Sequence, residues 1–272
     1  MDPRRQRRPR QGDDSASFSD VNATVDGSDG LDTLLAPLAV ATEFGFGADA
    51  DQATSSAATL THFENLDGSG ATASLSVSLG AGSTSIRTGA GADSIAFRDV
   101  VASVNASTGR DTLLLDTDKL SAPTASIALT INLAAAANTN VITSGALAGA
   151  SWQSFESVDG SAWDKNLTVT ANAAGSVIAT GSGLDTITLG AGADNVTTGG
   201  GSDRLNGAVG SGDVIDLGAG NDTETFAANA LGVARGGADT DTLLYTGAAV
   251  TINLATNARF PTALPWVQTR RT

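Results

Sequence analysis

The chain has 272 residues, with 29 acids against 15 bases, a net charge of −14, 32 glycines, one histidine and no cysteine. Zero Cys and a single His exclude disulfide scaffolds, thiol catalysis, zinc ribbons and multi-histidine metal centres, and the acidic balance argues against a nucleic-acid partner. Twenty-five of the acids are Asp and only four are Glu, and Asp favours turns, caps and ion sites where Glu favours helices. No apolar run of 18 residues is present, so no membrane-spanning helix is expected.

In chain order, residues 1–20 are expected to be disordered. The first ten carry five Arg and one Asp, but no apolar h-region follows, so they do not form a signal peptide. Residues 21–108 read as a degenerate β-repeat module. It contains GLDTLL (30–35), HFENLDGSG (62–70), the alternation ATASLSVSL (71–79) and a weak Gly-Asp block at 80–97, with Gly89, Gly91, Asp93 and Ile95. Nine residues before Asp93, Thr84 stands where Asp would be expected; Gly45, Gly47 and Asp49 are a further partial copy. Residues 109–180 read as a second module, with GRDTLLL (109–115), LTINLA (129–134), SFESVDGSA (154–162) and the alternation at 166–180. DTDTLLY (239–245) and VTINLA (250–255) start a third module at 227–258, and 259–272 reads as an irregular tail. Period-2 alternation of Thr, Val and Ile predicts short strands, and regular glycine punctuation stops helices. A short helical turn is expected near 34–44 or 143–153.

The clearest block spans 181–226. Asp185, Asp194, Asp203, Asp213 and Asp222 follow one another at steps of 9, 9, 10 and 9 residues. Gly181 and Gly183, Gly190 and Gly192, Gly199 and Gly201, and Gly218 and Gly220 precede four of them by four and two residues. Before Asp213 the glycines shift by one. Ile187, Val196, Leu205 and Ile215 follow two residues after Asp, whereas the last unit places Glu224 there. The physical logic is turn, ligand, strand. Glycine permits a tight turn with exposed carbonyls, and the short Asp keeps its carboxylate at that turn. Oxygen-only ligand sets of this kind suit Ca²⁺. Two units per coil stack Asp185 over Asp203, and carboxylates roughly 4.8 Å apart repel unless a cation lies between them. Folding is therefore expected to be coupled to ion binding.

This block resembles the repeats-in-toxin (RTX) nonapeptide, the haemolysin-type calcium-binding repeat. The resemblance implies an all-β fold, a parallel β-roll or β-solenoid at 181–226 flanked by β-rich repeat modules, with Ca²⁺ bound between turns. It implies metal-ligating roles for Asp185, Asp194, Asp203, Asp213, Asp222 and Asp93, with the paired glycines and neighbouring carbonyls completing the shell. It further implies type I secretion and folding outside the cell. The flanks are similar to bacterial RTX adhesins and surface-layer proteins, whose partners would be calcium ions, cell-surface glycans or further copies of the chain. The expected function is a non-catalytic, calcium-binding extracellular structural or adhesive segment. Two alternatives stand beside it: the non-catalytic end of a secreted hydrolase or epimerase, and a carbohydrate-binding module using Trp152 and Trp163, although packing in a core or cap is the favoured reading of both tryptophans.

Other features read as structural. Asp32, Asp111 and Asp241 are expected to make turns before strands. His62 stands near Glu64, but the internal repeat places Ser154 at the same point, which makes His62 a surface strand residue. The pairs Asp116/Asp118 and Asp49/Asp51 lack the glycine and distal Glu of an EF-hand loop. No GxxxxGK[ST] or HExxH motif is present.

Overall fold

The computed structural model describes residues 12–18, 24–46 except 37, 52, 59–120 except 81 and 99, 128–145 except 137–138, 148–227 except 208 and 211, 232–246 and 267–268. Asp49, Asp51, the basic residues 1–10 and the second copy VTINLA lie outside these residues.

Short alternating segments such as Leu167–Thr170 (LTVT) and Thr186–Thr188 (TIT) bury every second side chain. Such a strand has one apolar face and cannot be stable alone. The chain solves this by winding. One coil places a strand in one sheet, turns, places a strand in the opposing sheet and turns again, so that each strand pairs in parallel with its counterpart in the next coil. Thr186 pairs with Arg204 and Val177 with Asn195, each 18 residues on. The result is a parallel β-solenoid.

One nine-stranded sheet runs through both halves of the solenoid. Its order is Thr42–Gly45, Leu75–Ser78, Ser94–Ala96, Thr112–Asp116, Ser157–Ala162, Val177–Ala179, Asn195–Thr197, Val214–Asp216 and Val233–Arg235, every adjacent pair being parallel. Two other sheets share its core in succession. A six-stranded parallel sheet serves the N-terminal half, from Ser15–Ser17 to Ser151–Gln153. An eight-stranded sheet serves the C-terminal half, starting from an antiparallel pair, Leu129–Asn132 with Ile142–Ser144, and continuing in parallel. A two-stranded sheet, Thr24–Asp26 with Thr59–Thr61, lies near the N-terminal end.

The switch between partner sheets occurs at residues 116–157. The chain leaves Thr112–Asp116 through a 3₁₀ turn (Thr117–Lys119), lays down the first strands of the C-terminal sheet, closes the N-terminal sheet with Ser151–Gln153, and returns to the central sheet at Ser157–Ala162. An aromatic cluster fills this junction: Phe97 lies 5.2 Å from Trp152 and 6.2 Å from Trp163, ring centre to ring centre.

The core consists of registered columns. Leu34, Leu66, Ile86, Val104 and Trp152 stack in the N-terminal sheet; Val77, Ile95, Leu113, Val158, Ile178, Val196 and Ile215 stack in the central sheet. All are buried, and each full burial contributes about 1.5–3 kcal/mol.

Several expectations are revised. Ser15–Ser17, placed in a disordered start, forms a strand paired with Thr33–Leu35. The regions expected to turn helically contain the strands Thr33–Leu35 and Thr42–Gly45, and Ile142–Ser144 and Ser151–Gln153, because alternation there outweighs the local helix formers. The modules are not separate units, since the central sheet crosses 108/109 and 180/181 without a break. Within the tail, Val267–Gln268 pairs with Thr242–Thr246.

Candidate metal centre in the carboxylate ladders

The Asp residues of the repeats occupy the turns just before strands and are almost fully buried. Each Oδ1 accepts a backbone N–H from the preceding coil, and where the donor residue is itself Asp the bonds form a ladder. On one edge of the C-terminal half, Leu167 donates to Asp185 (2.7 Å), Asp185 to Asp203 (2.8 Å), Asp203 to Asp222 (2.8 Å) and Asp222 to Asp241 (3.1 Å). On the opposite edge, Ser176 donates to Asp194 (2.8 Å) and Asp194 to Asp213 (2.9 Å). The one-residue insertion before Asp213 is absorbed by the turn, leaving Asp213 in register with Asp194.

The second carboxylate oxygen separates the two edges. Oδ2 of Asp185, Asp203 and Asp222 is buried with no hydrogen-bond partner among the described residues. Thr180 lies beside Asp185, but its hydroxyl donates to the Thr198 carbonyl (2.9 Å). On the other edge, Oδ2 of Asp194 accepts the Gly190 N–H (2.9 Å) and Oδ2 of Asp213 accepts the Gly210 N–H. Upstream on that edge, Ser176 Oγ accepts the turn N–H of Asn172 in the same way, and in the turn before Ser85–Arg87 of the six-stranded sheet Ser83 Oγ accepts that of Gly80. Thr84 keeps the Asp position there, its carbonyl accepting the Ser103 N–H as that of Asp93 accepts the Thr112 N–H, while the neighbouring Ser83 supplies the turn acceptor.

The glycines bring successive turns into contact. A Cβ at Gly201, where φ is +127°, would collide with the Gly183 carbonyl oxygen, and one at Gly220 with that of Gly201. Gly181, Gly183, Gly190, Gly192, Gly199 and Gly218 face backbone of the preceding coil equally closely. A row of carbonyl oxygens therefore lies along the turns that carry the unpartnered carboxylates.

Electrostatics follow from burial. Desolvation pushes Asp185 up to about 6 and Asp222 up to about 7, with neighbouring ladder carboxylates adding to the rise. Asp194, Asp203 and Asp241 also rise, burial again being the main cause. Glu224, fully buried between Leu205 and Leu243 in the strand register, is pushed up to about 8 by desolvation, and neither of its carboxylate oxygens has a partner among the described residues.

Three residues read as plain turn formers belong to the same system. Asp32 accepts the Asp14 N–H (2.7 Å), Asp111 accepts the Asp93 N–H (2.8 Å), and Asp241 receives Asp222. Asp93 in turn accepts the Leu75 N–H (2.7 Å). The paired FEN and FES motifs also join it: Glu64 Oε2 accepts the Asp32 N–H (2.8 Å) and Glu156 Oε2 the Asp111 N–H (2.9 Å). The 18-residue steps Asp14 to Asp32 and Asp93 to Asp111, with Gly30 and Gly109 two residues before Asp, carry the signal in the sequence.

Other sequence candidates resolve differently. His62 Nδ1 lies 2.7 Å from Asp26 Oδ1 at the surface. His62 and its repeat counterpart Ser154 share a left-handed backbone, φ +58° and +62°. Asp116 Oδ1 caps the 3₁₀ turn through the Asp118 N–H. Trp152 and Trp163 are buried in the core, so neither offers a face to a sugar. Among the described residues no three His, Asp or Glu side chains form a metal cage, and no helix is long and apolar enough to cross a membrane.

No protein-family model and no curated protein sequence matches the chain.

Proposed function

We propose that this chain is a calcium-binding structural segment, of the RTX adhesin or surface-layer kind, that acts outside the cell and has no catalytic role. The observation that supports it is the file of buried Oδ2 atoms on Asp185, Asp203 and Asp222, each without a donor and each at a turn whose glycines admit close-packed carbonyls. A buried, unpartnered carboxylate is costly, and a row of them along one edge is a repeated cost with a common remedy. The donor chemistry fits a hard cation: oxygen atoms only, a few carboxylates and many carbonyls. When bound, calcium supplies the positive charge that the row lacks.

The chain's own residues do the rest. Oδ1 of each Asp stays on the ladder N–H and fixes the side-chain orientation. Oδ2 is thereby left outside the ladder. The glycines let the next coil approach. The apolar columns bury only when successive coils stack, so ion binding and core formation are coupled. Such a chain stays open where calcium is scarce and orders where it is plentiful, as outside a cell.

The test is a calcium titration followed by circular dichroism and calorimetry. Millimolar Ca²⁺ is expected to raise both the β-signal and Tm relative to EGTA. Equal melting in the two conditions overturns the reading.

A further inference from the structure

The N-terminal half contains two carboxylate stacks that lie largely outside the nonapeptide block, Asp14–Asp32–Glu64 and Asp93–Asp111–Glu156. We propose that the Asp14/Asp32 and Asp93/Asp111 turns are two further divalent-cation sites, each closed at one end by a glutamate that arrives from a distant coil. The inference rests on the calcium reading of the C-terminal edge and extends it to the other half of the molecule.

Geometry carries it. Oδ2 of Asp14, Asp32, Asp93 and Asp111 is buried without a partner among the described residues, as on the Asp185 edge. Asp32 and Asp111 are 0 % exposed and Asp93 is 1 % exposed. Each turn has the same close approach of successive coils: a Cβ at Gly30 would strike the Gly12 carbonyl, and one at Gly109 the Gly91 carbonyl and Asp111 Oδ1. In both places the ordinary 18-residue coil is followed by a long excursion, so no Asp stands 18 residues on to accept the next N–H. Glu64, 32 residues after Asp32, and Glu156, 45 residues after Asp111, fill that place with a longer side chain. Two independent stretches of chain thus repeat one arrangement with the same residue types.

The charge balance points the same way. Burial raises the Asp32 carboxyl, the Asp14 backbone N–H opposes the rise, and the three charges that act on it, Glu64, Asp14 and Asp13, are all acids that add to it. Burial pushes Asp111 up to about 7, with Asp93 and Glu156 adding to the rise. Arg110 gives partial relief to Glu156, while its guanidinium donates to the Gly175 carbonyl (3.0 Å). Glu64 and Glu156 are positioning residues here: they hold the backbone of Asp32 and Asp111 and add negative charge beside the site.

The experiment counts Ca²⁺ ions bound per chain by equilibrium dialysis and records the calcium-induced rise in Tm. It uses full-length wild type, Asp32→Asn, Asp111→Asn and Asp203→Asn. Asn keeps the Oδ1 acceptor and removes the charge at Oδ2, which protects the fold. Asp32→Asn and Asp111→Asn are each expected to lose bound calcium and part of the Tm rise, without loss of Tm in EGTA. Glu156→Gln, which keeps the acceptor, retains the ion with roughly tenfold weaker affinity, and Glu156→Ala loses it. Wild type that binds no calcium overturns the proposed function and this inference together. Calcium lost from Asp203→Asn but retained in full by Asp32→Asn and Asp111→Asn overturns this inference alone. Affinity unchanged in Glu156→Ala overturns the positioning role.

Discussion

The two turn edges of the C-terminal half are built from the same sequence unit yet differ in how their buried carboxylates are hydrogen-bonded. Asp194 and Asp213 satisfy both carboxylate oxygens with backbone donors. Asp185, Asp203 and Asp222 satisfy one oxygen and leave the other buried and unpaired. The first edge is finished by the polypeptide alone, whereas the second is incomplete without a proton or a cation. Equal spacing of Asp therefore does not mean equal sites, and the turn's own N–H groups decide which carboxylates are left with an unpaired oxygen.

The largest expected effect is that of calcium itself. A site held at 100 times its dissociation constant stabilises the fold by about 2.7 kcal/mol. Sites along the Asp185–Asp203–Asp222 edge contribute in sum, and saturating Ca²⁺ is expected to raise Tm by ten degrees or more over EGTA in scanning calorimetry. Protons are the weaker substitute. Carboxyls raised by folding hold protons that the unfolded chain releases, so their contribution is complete below the unfolded value near 4. It is lost as pH climbs through about 6 for Asp185 and about 7 for Asp111 and Asp222. In EGTA, Tm is expected to fall steadily from pH 5 to pH 8. Saturating calcium flattens that slope, and an apo Tm that rises over the same interval contradicts the assignment.

Substitution sharpens the contrast between the edges. Asp203→Asn removes a buried, unpaired charge, so melting in EGTA is expected to hold or rise while the calcium-induced shift shrinks. Asp194→Asn places an amide N–H₂ against either the Ser176 or the Gly190 N–H. It is expected to cost about 1–3 kcal/mol in EGTA and to leave the calcium-induced shift near that of wild type. Calorimetry of both variants with and without calcium reads the four values. Identical behaviour of the two erases the distinction between the edges.

Much of this was legible in the sequence, because a solenoid writes its coil length into the chain. The nine-residue ladder placed Asp185, Asp194, Asp203 and Asp222 correctly at turns, and alternation in LTVT and TITL marked the buried Val169 and Ile187. Asp32 and Asp111 stand one 18-residue coil after Asp14 and Asp93, a step the sequence carries; what no fixed period reveals is that Glu64 and Glu156, 32 and 45 residues further on, accept their N–H groups. The difference between edges was hidden for another reason. It depends on which turn N–H groups point at Oδ2, a matter of backbone direction in turns of equal composition. Core packing is the favoured sequence reading of Trp152 and Trp163 and is observed, but the exchange of partner sheets at 116–157 that encloses them is a long-range event with no local signature.

Glu224 offers the smallest and cleanest test. It occupies the column of Val169, Ile187 and Leu205, and Leu243 pairs with it on the far side. The position calls for an apolar residue, yet both carboxylate oxygens lie buried without a donor. With its carboxyl pushed up to about 8, Glu224 folds in the neutral form and loses its contribution as pH rises past that value. Glu224→Leu restores the column and removes an unsatisfied group, a gain of about 1–3 kcal/mol. Chemical denaturation in EGTA is expected to show the variant more stable than wild type at pH 8, by a margin that narrows at pH 5, where wild-type Glu224 is already protonated. Because Glu224 points into the core and Asp222 into the turn, the calcium-induced shift is expected to survive the substitution. If it disappears together with Glu224, the core column and the turn ladder are a single coupled system.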